Sequence, residues 1–469
     1  MYCIINYNNS ISPVKGSPNF QLTVKLISSG GGKGCTFIIP VFVNPTASFI
    51  KTASIFYRSH YIFAARTSNH TNENVTKKIR RDNAVRRRLA GRLRKAGRDH
   101  SSKKPDIALA KEPGASLKFN PSLFTQGLMN RFTGKTIGFG FAIAFNGAVV
   151  TTITAGDSRR LMDGQHPYLP TTRQGTSEAT QTITALAILK ALEAKGMDEN
   201  AYVWQLLPTN WNIPASNRKI TIAHLLSHTS GLKYIGYDYT SLRKTMQTAT
   251  TGYGDAYFKN AAVNYHLCRV LLACIVNGAG WYAPMSDNNA DEAVSQFYRS
   301  YVRQVILGPA GISNYYLVDL CPWNSLGPVW NPNSPGSSQT LYYNYSAPVH
   351  HGISIYTNYK SGGAGNWYMS AKELALVHAA AESKKFVSDA MLQRMKNKLM
   401  GFDSKYRGRQ GTYYFKAGMA YDSKFRGTNT MIAHFPNNVQ LAWNTNSISN
   451  DIGVVKDVII EAYENAWTY

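Results

Sequence analysis

The stretch TIGFGFAIAFNGAVVTTITAG, residues 136–156, decides the fold class of this chain. Small and β-prone residues alternate on both sides of Asn146-Gly147, and this dipeptide is the strongest short-range signal for a two-residue hairpin turn. The stretch therefore predicts two antiparallel strands near the beginning of a compact region, which opens at about Asn120.

Strand patterns return near the other end of the chain. Residues 411–417, 429–435 and 439–444 are rich in apolar and β-branched residues, and Pro436-Asn437-Asn438 separates the last two as a turn. A helix is predicted to follow over residues 453–467. The C-terminal part therefore predicts consecutive antiparallel strands closed by a helix.

The middle of the chain has a helical pattern. Residues 182–196, TITALAILKALEAKG, combine good helix formers, apolar spacings of three and four, and a terminal glycine, which predicts a buried helix. Strands at both ends thus enclose a mainly helical middle. We expect an α/β (α+β) fold with an antiparallel sheet flanked by helices and an inserted, mainly helical domain over about residues 200–345.

Composition narrows the class of protein. The 469 residues are 44% apolar, enough for a sizeable core, and no run reaches the roughly eighteen apolar residues of a membrane span. The five cysteines are scattered and form no CxxC or Cys/His cluster, so the sequence indicates neither a disulfide scaffold nor zinc. We expect a soluble protein without a cofactor.

Positive charge is concentrated in one segment. The chain has 51 Lys+Arg and 26 Asp+Glu, a formal net charge of +25, and residues 77–104 hold thirteen basic and two acidic residues, which is 13 − 2 = +11. This basic arm predicts binding to nucleic acid or another large anionic assembly. A solvated tether that binds nothing specific is the alternative. The candidate contacts are Arg86, Arg87, Arg88, Arg92, Arg94 and Lys95.

The first 72 residues contain no acidic residue and six Lys/Arg. This composition is compatible with organellar import, whereas a secretory signal is not evident; a disordered or wrongly extended terminus is the alternative. Residues 48–66 could form a basic, aromatic helix. We divide the chain into an acid-poor extension (1–76), a basic arm and linker (77–119) and a compact domain (120–469).

Four segments of the compact domain resemble one known family. They match its "ITIRHLLTHTSGL", "IF-PLGM", "GG-G-W-SA-DLA" and "FP…VVLTNS" motifs, in the same order. The segments are KITIAHLLSHTSGL (219–232), VILGPAGIS (305–313), GGAGNWYMSAKEL (362–374) and FPNNVQLAWNTN (435–446). The compact domain resembles the serine β-lactamase-related proteins: class C β-lactamases, DD-peptidases and esterase relatives.

The resemblance fails at the first chemical motif. Acyl transfer in that family uses a serine and, three residues later, a lysine that accepts the hydroxyl proton. Aligning residues 182–189 places Glu178 at the serine position and Gln181 at the lysine position. A shift by one residue brings in Ser177, but its partner is then Thr180, whose hydroxyl cannot act as a base near pH 7.

The second motif, Tyr-x-Asn, also lacks its chemical group. The family's helix "NYALLRVII" resembles residues 264–272, and counting back five residues from Tyr265 places Asn260 at the tyrosine position. Allowing two inserted residues places Phe258 there instead. Neither residue has the phenol that would relay a proton to the leaving group.

The third motif, Lys/His-x-Gly, is retained as Lys416-Ala417-Gly418. We expect Lys416 to form an ion pair with Glu178 that fills the former pocket, or with it to hold a new ligand. His224 and His228 are spaced like zinc ligands, but they lie within a segment that the family uses structurally. We therefore predict no metal site.

Two hypotheses remain. The first is a non-catalytic member of the family, a pseudoenzyme used as a structural or binding module, whose basic arm meets an anionic partner and whose cleft could hold a small molecule. The second is an active serine hydrolase of β-lactamase, peptidase or esterase type that uses Ser177 or an unfamiliar residue. Covalent labelling by a fluorophosphonate or penicillin probe separates them.

Overall fold

The chain forms two compact units, Met1–Ala108 and Leu109–Tyr469. The computed structural model describes residues 11–13, 20–26 and 35–41 of the first unit. In the second it describes residues 117–468 apart from 321–322, 325–326, 329–339, 348 and 355–357. The basic arm and the predicted helix over 48–66 lie outside the described residues.

Three strands occur in the acid-poor segment, where the sequence analysis predicted none. They are β1 (Ile11–Pro13), β2 (Phe20–Leu26) and β3 (Cys35–Val41), and they pair in this order as an antiparallel sheet. The sequence signal is the strict alternation of apolar and polar residues in FQLTVKL, the sequence of β2. The extension therefore contains regular structure of its own.

The larger unit contains both strands and helices throughout. Its first half comprises β4 (Lys118–Phe119), α1 (Pro121–Phe132), β5 (Gly138–Phe145), β6 (Ala148–Arg159), β7 (His166–Pro167), β8 (Gln174–Gly175), α2 (Gln181–Ala194), α3 (Val203–Leu206), α4 (Ile222–Leu226), α5 (Tyr239–Gln247), α6 (Ala262–Asn277) and α7 (Asp287–Tyr301). Its second half comprises β9 (Trp323–Asn324), β10 (Gly327–Pro328), β11 (Tyr343–Asn344), β12 (Tyr368–Met369), α8 (Ala371–Glu382), α9 (Asp389–Asn397), β13 (Ser404–Gly408), β14 (Gly411–Tyr421), β15 (Gly427–Phe435), β16 (Val439–Thr445), β17 (Ser447–Ile448), α10 (Val455–Glu464) and β18 (Trp467–Thr468).

The main sheet has the order β13-β14-β15-β16-β5-β6-β7, and its neighbouring strands are antiparallel. The predicted hairpin is confirmed, because Asn146 and Gly147 join β5 to β6 with φ values of 50° and 82°. The predicted C-terminal strands and closing helix are also confirmed. β13 was missed, because SKYRG has no apolar alternation.

The sheet separates two hydrophobic cores. On one face, α1 and α10 cover a core that includes Phe141, Trp443 and Tyr463. On the other face, a larger core joins Ala142 and Ala442 to the helices, with α2 and α6 buried along most of their length. Alternate residues of β5 and β16 serve the two cores, as the period of a strand requires. The fold is the expected mixture of helices and an antiparallel sheet.

Among the described residues, no helix is both long enough and apolar enough to cross a membrane.

Candidate active site

The two residues that the sequence comparison assigns to the family's serine and lysine positions, Glu178 and Gln181, lie at the start of α2. Glu178 is part of a 3-10 turn, Ser177–Thr180, and Gln181 begins the helix directly afterwards. The Glu178 carboxylate accepts hydrogen bonds from the Ser177 hydroxyl and, at 3.3 Å, from the backbone N–H of Met419. Glu178 therefore lies between the turn and β14, where its side chain is already hydrogen-bonded to the protein.

Gly418 allows the turn to approach β14 closely. A Cβ at this position would lie 2.5 Å from the backbone nitrogen of Ala179 and closer still to the carbonyl oxygen of Thr176. No side chain fits there without moving backbone atoms. The glycine of Lys416-Ala417-Gly418 thus has a structural role that is independent of any catalytic role of the motif.

Both polar atoms of the Gln181 side chain are hydrogen-bonded. Its Nε2 donates to the carbonyl oxygen of Ala364 at 3.0 Å, and its Oε1 lies 3.1 Å from Nε2 of His228. Because Oε1 is an acceptor, the proton of this second bond belongs to His228. The Gln181 amide therefore has no basic lone pair to offer a nucleophile.

His228 is held as the neutral tautomer protonated at Nε2. Its Nδ1 receives the N–H groups of Asn264 Nδ2 at 3.2 Å and of the Ala261 backbone at 3.4 Å. Burial, together with the positive charge of Lys416, lowers the pKa of His228 to about 3. At neutral pH this imidazole is uncharged and serves as a hydrogen-bonding link in the polar network beneath Glu178.

Lys416 is paired with Asp403, not with Glu178 as expected from the sequence. Its Nζ lies 2.6 Å from Asp403 Oδ1, and the Lys416 side chain is 1% exposed whereas that of Asp403 is 28% exposed. The predicted Glu178–Lys416 ion pair is thus wrong. Asp403 lies at the end of the connection from α9 to β13, directly before β13. This position brings its carboxylate, and not that of Glu178, into contact with the lysine.

Two carboxylates cover the edge of β14 beyond the end of β13. β13 pairs with β14 only as far as Phe415, which leaves the following amides of that edge without a strand partner. Asp403 Oδ2 accepts the N–H of Ala417 at 2.8 Å, and Glu178 accepts that of Met419. Both outward-facing N–H groups next to the candidate site therefore already have acceptors within the protein.

The two candidates from the sequence for the Tyr-x-Asn position, Asn260 and Phe258, lie just before α6. Asn260 is exposed, and the Phe258 ring is 57% exposed with its centroid 6.5 Å from that of His228. Phe258 therefore lies over the same network that contains Gln181. In neither register does this segment bring a phenol hydroxyl to the site.

His224 and His228 do not form a metal-binding pair. His224 Nδ1 lies 3.1 Å from both the backbone nitrogen and the hydroxyl of Thr221, where it completes the N-terminal cap of α4. His228 contacts Gln181 and Asn264 instead. Among the described residues, no three His, Cys, Asp or Glu side chains are arranged to hold a metal ion.

A second polar chain, missed from the sequence, runs beneath α2. His434 Nδ1 lies 2.6 Å from Glu382, and its Nε2 lies 2.8 Å from His378 Nδ1. His378 Nε2 in turn lies 3.4 Å from the hydroxyl of Thr182. Burial raises the pKa of Glu382, but the contacts with His434 and Lys396 outweigh it and lower that pKa to about 2. The carboxylate thereby orients both imidazoles.

Comparison with known proteins agrees with the fold. Residues 125–455 match the family model described as Beta-lactamase. The structure is similar to that of the octameric penicillin-binding protein homologue from Pyrococcus abyssi, with a TM-score of 0.52, 17% identity, and coverage of 73% of this chain and 75% of that chain. No curated protein matches the chain.

Two further solved structures show the same fold. The D-stereospecific amidohydrolase from Streptomyces sp. has a TM-score of 0.51 and 19% identity, over 73% of this chain and 98% of that chain. FmtA from Staphylococcus aureus has a TM-score of 0.51 and 15% identity, over 76% of this chain and 94% of that chain. These identities show a common fold and no more. Because the family model spans more than half of the sequence and the described fold agrees with it, the chain belongs to the beta-lactamase family.

Proposed function

We propose that this protein is a non-catalytic member of its family, which acts as a structural or binding module and uses its basic arm to meet an anionic partner. The observation that carries the proposal is the pair Glu178 and Gln181 at the serine and lysine positions. A carboxylate cannot give the alkoxide that attacks a lactam or ester in serine acyl transfer, and an amide cannot accept the proton.

The remaining groups of the site support this proposal. Lys416 is neutralised by Asp403, and His228 is buried, uncharged and hydrogen-bonded at both ring nitrogens. Neither group has a free lone pair directed at the Glu178 position. The polar side chains of the site satisfy one another, which is typical of a structural network.

The basic arm supplies the second half of the proposal. Residues 77–104 carry a net charge of 13 − 2 = +11, and such a segment binds polyanions by releasing condensed counterions. Affinity should then fall steeply as salt rises from about 50 to about 200 mM. Deletion of residues 77–104 should remove the contribution of the arm to this binding and leave the thermal unfolding of the larger unit unchanged.

A covalent probe tests the loss of catalysis. The full chain is incubated with a fluorescent penicillin and with a fluorophosphonate, and labelling is read on a denaturing gel beside a heat-unfolded sample. We expect equal background labelling in both samples. Labelling that requires the folded protein and disappears in Ser177→Ala would refute the proposal.

One observation favours the alternative of an active hydrolase. The Ser177 hydroxyl donates to the Glu178 carboxylate, which is a minimal pairing of a nucleophile with a base, and Ser177 has a left-handed φ of 49°. Against it, Ser177 is only 4% exposed. If this pair is catalytic, hydrolysis of a p-nitrophenyl ester should be lost in both Ser177→Ala and Glu178→Gln.

A further inference from the structure

Most of the excess positive charge of the compact domain lies in one short segment. Residues 105–469 contain 32 basic and 23 acidic residues, a net charge of 32 − 23 = +9. Residues 383–411 alone contain eight basic and two acidic residues, a net charge of 8 − 2 = +6. This segment runs from the end of α8 through α9 and β13 to the beginning of β14.

Several of these cations are neutralised within the protein. Arg394 and Lys398 share the buried carboxylate of Glu199, and Lys396 pairs with Glu382. Lys405 and Arg407 of β13 differ from them. Both are exposed, and neither is within salt-bridge distance of an acidic group of the described residues. Lys385, before α9, is likewise exposed and without an ion pair among the described residues, so β13 holds two of the three uncompensated cations of the segment.

β13 is also the last strand of the main sheet among the described residues. It pairs only with β14, so its outer edge presents backbone N–H groups to the surroundings. Arg409 lies in the turn that follows β13. Its side chain is 58% exposed and makes a long ion pair with Glu464, at 3.7 Å, so its charge is partly compensated but open to the solvent. The edge thus combines exposed cations with backbone amides that no second strand of the described residues covers.

An exposed aromatic residue, Tyr406, lies between the two cations in the sequence of β13, with its ring centroid 5.8 Å from that of Tyr413. Tyr406 is 42% exposed and stands opposite Tyr413 of β14, whereas Lys405 and Arg407 stand opposite Tyr414 and Thr412. Because side chains alternate along a strand, the tyrosine projects from one face of the sheet and the two cations project from the other. A ligand that follows the edge meets an aromatic face on one side and positive charge on the other.

We propose that β13 and its turn form a binding surface for single-stranded nucleic acid, separate from the basic arm. Lys405, Arg407 and Arg409 would contact phosphates, the edge amides would add hydrogen bonds, and Tyr406 would stack on a base. Cations that follow a backbone, together with an aromatic side chain for stacking, are the features by which proteins bind single strands without sequence preference. The surface recognises the phosphodiester backbone, which RNA and single-stranded DNA share.

This inference rests on the proposed function only in taking the partner to be a polyanion. Basic residues on an edge strand also prevent sheets from pairing with each other, and that role alone would explain Lys405 and Arg407. The two explanations make different predictions. Removing the charges weakens nucleic-acid binding in the first case, and promotes self-association without affecting that binding in the second.

The experiment uses the full chain and a fluorescent 20-nucleotide single strand, as RNA and as DNA, followed by fluorescence anisotropy. Lys405→Ala combined with Arg407→Ala removes two phosphate contacts. At about 0.7 in the logarithmic salt slope per contact, affinity should fall about 25-fold at about 100 mM salt. The matched control, Lys195→Ala with Lys219→Ala, removes two exposed lysines elsewhere and should change affinity little.

Two further measurements locate the surface. Tyr406→Ala should weaken binding about fivefold or more, whereas Tyr406→Phe, which keeps the ring, should not. A single strand containing 4-thiouridine should cross-link under ultraviolet light to a peptide that includes residues 404–409. Cross-links only within residues 77–104 would overturn the inference.

The outcomes separate this inference from the proposed function. Changing Arg86, Arg87 and Arg88 to alanine tests the arm, and its effect on the logarithm of the affinity should add to that of the β13 variant. If only the β13 variant lowers the affinity, the assignment of residues 77–104 as a binding arm is refuted. If the β13 variant behaves like its matched control, or merely self-associates in sedimentation velocity, the surface proposed here is refuted.

Discussion

Asp403 neutralises Lys416 at a distance of 2.6 Å through one carboxylate oxygen, and its other oxygen accepts the backbone N–H of the next residue, Ala417. The lysine is almost completely buried, whereas the carboxylate is partly exposed. Removing only the carboxylate would leave a buried cation, and this is the costly way to break an ion pair. The pair therefore ties the end of α9 to the strand that borders the candidate site.

A double-mutant cycle tests this relationship. Asp403→Asn should lower the free energy of unfolding by about 2 to 3 kcal/mol, since Lys416 loses its counter-charge. Adding Lys416→Met to Asp403→Asn should restore at least half of the loss, because no buried cation remains. The measurement is urea unfolding followed by circular dichroism. Purely additive losses would show that the two side chains are not coupled.

Replacing Gly418 by alanine should be strongly destabilising. The added Cβ would meet backbone atoms of the turn at Thr176 and Ala179, which cannot move without displacing the start of α2. We expect a loss of about 3 kcal/mol or more, or failure to fold. The matched control is Gly280→Ala, where nothing lies within 4 Å of the added Cβ. Near-wild-type stability of Gly418→Ala would mean that the turn does not pack as described.

Glu178→Ser should remain unlabelled by a fluorescent penicillin. The new hydroxyl would have Gln181 one turn away, and this amide donates to Ala364 and accepts from His228. The double change Glu178→Ser with Gln181→Lys restores both groups of the first motif and should give weak labelling that the single variant does not. Labelling of the single variant would show that another group in the site accepts the proton.

The stability of the protein should fall as the pH is lowered from 7 to 5. His228 has a folded-state pKa of about 3 because burial and Lys416 disfavour its charged form, whereas an unfolded histidine titrates near 6.5. The unfolded state therefore binds the proton first, and acid favours unfolding. This one residue should account for about 2 kcal/mol between the two pH values.

The variant His228→Gln isolates this contribution. Glutamine can still donate to Gln181 but does not titrate, so the difference in unfolding free energy between pH 7 and pH 5 should shrink by about 2 kcal/mol, whatever its stability at pH 7. Urea unfolding at each pH gives this difference. An unchanged pH dependence would show that His228 is accessible to protons in the folded state.

Local patterns in the sequence were enough to predict the main elements. The β5–β6 hairpin follows from Asn146-Gly147, since both positions adopt a positive φ that few other residues accept. Helix α2 follows from the apolar spacing of residues 182–196. β13 could not be found in this way, because its three central residues, Lys405, Tyr406 and Arg407, are all exposed and its pairing depends on β14.

The contacts of the site depended on information that the sequence does not carry locally. The helical pattern and the family resemblance were enough to place Glu178 and Gln181 at the start of α2. The partner of Lys416 could be identified only from the path of the loop after α9, because this loop places Asp403, and not Glu178, next to the lysine. Attraction between opposite charges predicts that a buried lysine has a counter-ion, but only the packed structure decides which one.

The pairing of β5 with β16 has a consequence for the order of folding. Ala142 lies opposite Ala442, so the centre of the main sheet joins residues that are 442 − 142 = 300 positions apart. Forming a contact of such long range costs loop-closure entropy before the contact contributes any stabilisation, and this makes folding slow. During synthesis, β5 must wait until nearly the whole chain has been made before its second neighbour, β16, exists, whereas β6 lies between β5 and β7. In that interval the edge of β5 can pair with other strands, and this is when we expect the nascent chain to depend most on a chaperone.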